Sequence, residues 1–214
     1  TFGMNKQNAI WADHIENRGL LGSCADIHMG DDVVHAIIPL PGEHMIYNAM
    51  AAAAVALQFG MSKEEIAAGI SHVEAVAGRS HLVEAGDKVI IDDCYNANPV
   101  SMKAAIDLLA TAPGRKVAIL GDMFELGENE KAMHGEVGAY AAEKGIDLIL
   151  CVGELSEAMY QEAVGSGGNA KYYETREALE AVLNEILQQG DTVLVKASHS
   201  MAFENLVKCI QVNQ

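Results

Sequence analysis

The stretch IDDCYNANPVSM, Ile91 to Met102, places two adjacent carboxylates, a tyrosine and two asparagines directly after the apolar run KVI. Carboxylates and amides so closely spaced can hold a hydroxyl, an amine or a cation. Asn98 followed by Pro99 also reads as the N-cap and first residue of a helix. That accounts for Asn98, but not for Asp92, Asp93, Tyr95 and Asn96 in one loop, so ligand contact is the favoured reading for Asp93 and Asn96. In RKVAILGDMFELGENE a second loop follows the same plan. Gly121 permits close backbone approach, while Asp122 and Glu125 suit a cation, an amine or a ribose hydroxyl. The plain alternative is that these acids favour the positive end of a helix opening near Glu130. In the third, DTVLVKASHSMAFE, Lys196 stands at a strand end, and Ser198 or Ser200 either caps the next helix or bonds a ligand.

The elements that must position these loops are legible from Lys88 onward. The β-branched runs KVIID, RKVAIL, DLILCV, AKYY and DTVLVKA alternate with amphipathic stretches beginning near Pro99, Glu130, Leu155, Arg176 and Met201. Apolar runs without polar alternation suit strands covered on both faces, and their alternation with helices predicts a doubly wound, mainly parallel α/β sheet. Ligands of such sheets sit beyond the carboxyl ends of the strands, which is where all three polar loops fall. The coincidence of three loops weighs more than any one of them.

The first 80 residues read differently. ADIHMG and DDVVHAIIPL have the alternation of hairpin strands, and PLPGEHMIYNAMAAAAVALQFG then switches to a helical period. The Ala-rich helix, roughly Glu43 to Phe59, is apolar nearly all round, which predicts burial between layers. Ser62 with Glu65 three residues on predicts a capped second helix. The stretch AVAGRSHLVEAGD marks the boundary, giving domains 1–80 and 81–214.

Arg79 lies in that boundary, where a fixed cation can grip a phosphate bidentately; a solvated linker arginine is the plainer reading. Asn48, one turn beyond His44, either caps or reaches a base edge. The histidines show no metal-ligand spacing such as H-E-x-x-H, so no metal site is assigned from them. No G-x-x-x-x-G-K-[ST] loop occurs, and GSGG at Gly165 to Gly168 lacks the lysine and strand context of a phosphate cradle.

Fourteen Lys and Arg against thirty Asp and Glu leave a net charge of −16, which argues against nucleic acid as a partner. Four dispersed cysteines predict a reducing, cytoplasmic setting without disulfides. No apolar run approaches the length of a membrane span or a signal core, so no membrane association is expected. The opening TFGMNKQNAI has neither initiator Met nor leader, and a longer parent protein is expected.

In order along the chain, PGEHMIYNAMAAAAVAL, AGRSH, IDDCYNANPVSM, GDMFELG, HGEVG and VLVKAS resemble the Mur ligases of peptidoglycan synthesis. DDxYNANPxSM and GDMxELG are similar in particular to the MurF type, which adds D-alanyl-D-alanine to a UDP-N-acetylmuramoyl tripeptide. The resemblance covers essentially the whole chain but only the later part of such an enzyme. It implies that residues 1–80 are the tail of an α/β ATP-binding central domain, and that 81–214 are a Rossmann-like acceptor-binding domain.

It also implies ATP and Mg2+ as requirements, with the main sites outside this chain, and an acyl-phosphate intermediate attacked by the incoming amine. The substrates would be the UDP-muramoyl tripeptide, D-alanyl-D-alanine and ATP, and a monomer is expected. Position by position, Asn48 would touch the adenine, Arg79 the phosphates and Asp93 the ribose. Tyr95, Asn96 and Asn98 would line the acceptor or nucleotide side of the cleft, Lys196 and Ser198 would lie near the acceptor dipeptide, and Asp122 and Glu125 would shape the same rim. His134, in HGEVG, matches a position without an assigned role. Met45 stands where the family has Asn, which implies one polar contact fewer, and Ala197 replaces a Gly, a methyl expected to crowd a close approach. Alone, the chain is expected neither to hydrolyse ATP nor to ligate. A related ligase with another amine acceptor and a non-catalytic binding module remain the alternatives.

Overall fold

The computed structural model describes residues 1–212. The chain divides into two compact units, the first Thr1–Ala75 and the second beginning at Val76. The division falls after Ala75 rather than after residue 80, because Gly78, Arg79 and Ser80 are bonded to the second unit. Gly78 N–H donates to Asp92 (2.9 Å), Ser80 N–H donates to Asp93 (2.9 Å), and the Arg79 guanidinium lies 4.0 Å from the Tyr95 ring centroid.

In the first unit, β1 (Ile10–Asn17), β2 (Ser23–Met29) and β3 (Asp32–Ile38) form an antiparallel sheet in that order. Alternation puts Ala25, Ile27 and Met29 of β2, with Val34, Ala36 and Ile38 of β3, on one face. There they form one core with helices α1 (His44–Gln58) and α2 (Lys63–Ser71). The capping box predicted for α2 is present: Ser62 Oγ accepts from Glu65 N–H, and the Glu65 carboxylate accepts from Ser62 N–H. Such a cap contributes about 1 kcal/mol.

Two features depart from the sequence reading. Strand β1 was not anticipated, because a bulge between Asp13 and Glu16 breaks its alternation. Helix α1 is buried on one side only, since Ile46, Ala49, Met50 and Ala53 form the i, i+3, i+4, i+7 stripe that meets the core. Val55 (58% exposed) and Phe59 (82% exposed) lie off that stripe.

The second unit is a six-stranded sheet of β4 (His81–Ala85), β5 (Lys88–Asp92), β6 (Lys116–Gly121), β7 (Leu148–Val152), β8 (Ala170–Tyr173) and β9 (Thr192–Lys196). Its order is β4-β5-β9-β6-β7-β8, parallel throughout except for the antiparallel β4–β5 hairpin. Helices α3 (Pro99–Ala110), α4 (Glu130–Glu143), α5 (Ser156–Gly165), α6 (Arg176–Glu180), α7 (Leu183–Ile186) and α8 (Glu204–Val212) connect and follow the strands. Every residue of β7 and β9 is buried, which is why these strands read as unbroken apolar runs.

The hairpin makes KVIID the second strand of the sheet, not the first. The last strand, β9, is inserted between β5 and β6, pairing Asp92 with Val195 on one side and Leu120 with Lys196 on the other. Three carboxyl ends therefore emerge side by side. No helix among the described residues is long and apolar enough to cross a membrane.

Candidate functional site at the carboxyl edge of the second sheet

Lys196 ends β9 with its side chain only 3% exposed. A buried ammonium is costly unless its three protons find acceptors. Here it donates to Asp93 Oδ2 (2.6 Å), to the Asn96 carbonyl (2.9 Å) and, at longer range, to the Asp93 carbonyl (3.4 Å). Asp93 Oδ1 accepts from Ser80 N–H. The pair thus binds the loop after β5 to the end of β9. Both charges are consumed within the protein, so Lys196 and Asp93 act on the cleft chiefly by shaping it.

Asp92 is turned the other way and buried. Its Oδ2 accepts from Gly78 N–H, and its Oδ1 accepts from the Cys94 thiol at 2.9 Å. Burial, reinforced by that carboxylate, pushes the Cys94 thiol far above its ordinary pKa. The fully enclosed Cys151 of β7 is pushed up to about 12 by burial alone.

The loop after β6 is fastened to the loop after β9 by two bonds. Ser198 N–H donates to the Asp122 carbonyl (3.0 Å), and Phe124 N–H donates to Ser198 Oγ (2.9 Å). The Ser198 hydroxyl keeps its own hydrogen to donate. Gly121 is required at this junction: a Cβ there would lie 2.5 Å from the Phe203 ring and 2.8 Å from the Ala197 methyl. Ala197 itself is fully buried in the core beside Phe203. Its methyl group therefore packs inward and crowds no approach from the cleft, contrary to the expectation from its replacing Gly.

His134 is fully buried in α4. Its Nε2 accepts from Met123 N–H (2.8 Å), while Nδ1 faces the Glu130 carbonyl (2.7 Å), which fixes the Nδ1–H tautomer. The role left open for this histidine is to hold the loop after β6.

These loops enclose a hollow of about 330 Å³ lined by Tyr95, Asn96, Phe124, Glu125, Ser198, His199 and Ser200, within the size range of small-molecule sites. Tyr95 and His199 face each other with ring centroids 5.7 Å apart. Of the residues singled out from sequence, Tyr95, Asn96, Glu125, Ser198 and Ser200 line the hollow, while Arg79 stacks on the Tyr95 ring without itself lining it.

Others serve elsewhere. Asn98 caps α3, accepting from Ser101 N–H at 2.9 Å. The Asp122 carboxylate accepts from Ser156 N–H and Oγ–H at the start of α5, so only its backbone serves this edge. Asn48 lies exposed on α1 in the first unit, its amide against the Met45 sulfur at 3.3 Å. Phe124 and His199 were not singled out, although GDMFELG and KASHS place each beside a residue that was.

A sheet of this order, with polar loops meeting beyond three adjacent parallel strands, defines the class. The pattern described as "Mur ligase, glutamate ligase domain" matches residues 78–199, and the chain belongs to the Mur ligase family. More particularly, it is 40% identical over 183 residues to the UDP-N-acetylmuramoyl-tripeptide–D-alanyl-D-alanine ligase of Escherichia coli, covering 84% of this chain and 40% of that protein. A crystal structure of MurF from Acinetobacter baumannii superposes with a TM-score of 0.91 at 29% identity, over 99% of this chain and 47% of that one. The MurF ligase of Thermotoga maritima in complex with ADP shares the fold, with a TM-score of 0.80 at 22% identity over 99% of this chain and 48% of that one. The chain thus spans less than half the length of the relatives it matches.

Proposed function

We propose that this chain forms the acceptor side of an ATP-dependent amide ligase of the MurF type, which joins D-alanyl-D-alanine to a UDP-N-acetylmuramoyl tripeptide in peptidoglycan synthesis. The observation that carries the reading is the hollow on which the loops after β5, β6 and β9 converge, pinned by Lys196 and Asp93. The names of the curated relatives support the substrate class.

In this reading the Glu125 carboxylate accepts from the incoming ammonium, and the Ser198 hydroxyl and Asn96 amide orient the dipeptide. Tyr95, Phe124 and His199 wall it from water. ATP supplies the activation that converts the tripeptide carboxylate into an acyl phosphate. The ammonium must first give one proton to solvent or to the Glu125 carboxylate, and holding the neutral amine so formed close to that carbon is largely a matter of positioning. Arg79, whose guanidinium has no carboxylate partner among the described residues, faces the phosphates; the ribose contact expected of Asp93 is not carried forward, because Lys196 and Ser80 hold its carboxylate.

The aspartates at this edge do not fit a magnesium site, since Asp92, Asp93 and Asp122 are each engaged by thiol, ammonium, hydroxyl or backbone donors, and Glu125 alone does not make one. No step is therefore routed through the metal within this chain. A cytoplasmic monomer completes the reading.

The test is amine competition in the intact ligase that carries this chain. D-alanyl-D-alanine should be consumed in preference to glutamate or a diamino acid, and the 214-residue chain alone should release no phosphate from ATP. Preference for a single amino acid would assign the chain to a ligase with a different acceptor. Phosphate release by the purified chain would show that it is catalytically self-sufficient.

A further inference from the structure

The face of β1–β2–β3 turned away from α1 and α2 carries a cluster that the reading above does not use. Asp13 of β1 pairs in register with Asp26 of β2, which pairs with His35 of β3. Two carboxylates directly opposite each other repel, so the position calls for a cation between them. The bulge in β1 brings a histidine there: His14, at φ 47°, places Nδ1 2.9 Å from Asp26 Oδ2 and 3.5 Å from Asp13 Oδ1, where a bound ion would take the place of the ring proton. The three ligand atoms offered by Asp13, His14 and Asp26 all lie within 4.8 Å of one another. Tetrahedral zinc with bonds of about 2.0–2.2 Å needs ligand atoms about 3.3 Å apart.

The two carboxylates are also bonded by histidines of the neighbouring strands. His28 Nε2 lies 2.7 Å from Asp13 Oδ1, and His35 Nδ1 lies 2.8 Å from Asp26 Oδ1. The His28 ring is itself held flat against Trp11, with centroids 3.5 Å apart. Carboxylate ligands steadied by outer hydrogen bonds are the usual arrangement of a protein metal site. One group opposes: Lys6 Nζ lies 3.4 Å from Asp13 Oδ2 and is mostly exposed, able to swing away or to compete.

We propose that this face binds one divalent ion of the zinc class through Asp13, His14 and Asp26, with water completing the coordination. A mixed imidazole and carboxylate set selects zinc, cobalt, nickel or copper over magnesium and calcium, which require more oxygen ligands. His28 and His35 position the two carboxylates. The linear sequence conceals the site, because its ligands come from two strands and a bulge and match no ligand spacing.

The test is calorimetric titration of the 214-residue chain with zinc sulfate and with magnesium chloride, alongside the visible spectrum of the chain with cobalt chloride. One zinc ion should bind per chain, with magnesium far weaker and cobalt showing no thiolate band. His28→Gln should weaken zinc by about tenfold, His14→Ala by more, and Lys6→Gln should tighten it. All three residues lie on the solvent side, and amide exchange of the variants checks that the sheet is intact. Zinc affinity unchanged in His14→Ala, magnesium binding as strong as zinc, or a thiolate band from cysteine would each overturn the proposal.

Discussion

Lys196 Nζ stands 2.6 Å from Asp93 Oδ2, closing the gap between the ends of two adjacent parallel strands, β9 and β5. Because the ammonium is 3% exposed and the carboxylate 15%, removing one partner strands the other where water cannot restore its hydration. Lys196→Ala should lower the stability of the second unit by about 3 kcal/mol. Lys196→Met combined with Asp93→Leu should lose less than the single variant does, because no charge is left behind. Amide exchange of the β5 and β9 backbone in urea measures both. A single variant as stable as the parent would show that the pair does not hold the loops.

His134 acts as a two-ended brace. His134→Ala leaves Met123 N–H and the Glu130 carbonyl without their partner in a buried setting. A loss of about 2 kcal/mol is expected, concentrated in the 122–127 loop and visible as faster exchange at Met123. Exchange unchanged there would remove the histidine from the account of this edge.

Gly121 marks the tightest approach of the strand end to the core. Gly121→Ala should cost about 2 kcal/mol by overpacking against Phe203. Adding Phe203→Leu should recover part of that loss, a coupling that chemical denaturation reads directly. Additive losses would mean that the new methyl group finds room elsewhere.

The capping box of α2 sets a pH dependence. Hydrogen bonds from the Ser62 backbone and then its hydroxyl hold the Glu65 carboxyl below its usual value of 4.5. A depressed folded-state value stabilises the fold above the unfolded value, so the contribution is complete above pH 4.5. It is lost as pH falls through the lower folded value. A carbon-detected NMR titration should place the Glu65 midpoint below 4.5 and return it toward 4.5 in Ser62→Ala. An identical midpoint in both proteins would contradict the assignment.

The parallel strands were legible because β7 and β9 are buried at every position, so DLILCV and DTVLVKA show no polar alternation. Strand β1 was not, since its bulge shifts the register at Asp13 to Glu16 and sends His14 into a left-handed conformation. Strand β4, half-buried and flanked by Gly78 and Gly86, reads as linker. Helix α1 misled through composition: alanine is compatible with burial but does not require it, and Val55 and Phe59 face outward.

At the candidate site, residue type located the right edge of the sheet but not the direction of each side chain. Asn96 and Glu125 face the hollow, whereas Asp122 and Asn98, chemically alike, are drawn to the N-terminal ends of α5 and α3. Helix ends compete for the same carboxylates and amides that a ligand would use, and sequence does not reveal which demand prevails.

The central claim is that the loops beyond β5, β6 and β9 form the working surface of the second unit. Backbone amide shifts of the 214-residue chain, followed as D-alanyl-D-alanine is added to high concentration, test it most directly. The account predicts saturable shifts at Tyr95, Asn96, Phe124, Glu125 and Ser198 to Ser200, with the opposite edge of the sheet undisturbed. Saturable shifts confined to the β4–β5 turn or to the first unit, with those residues unmoved, would contradict it.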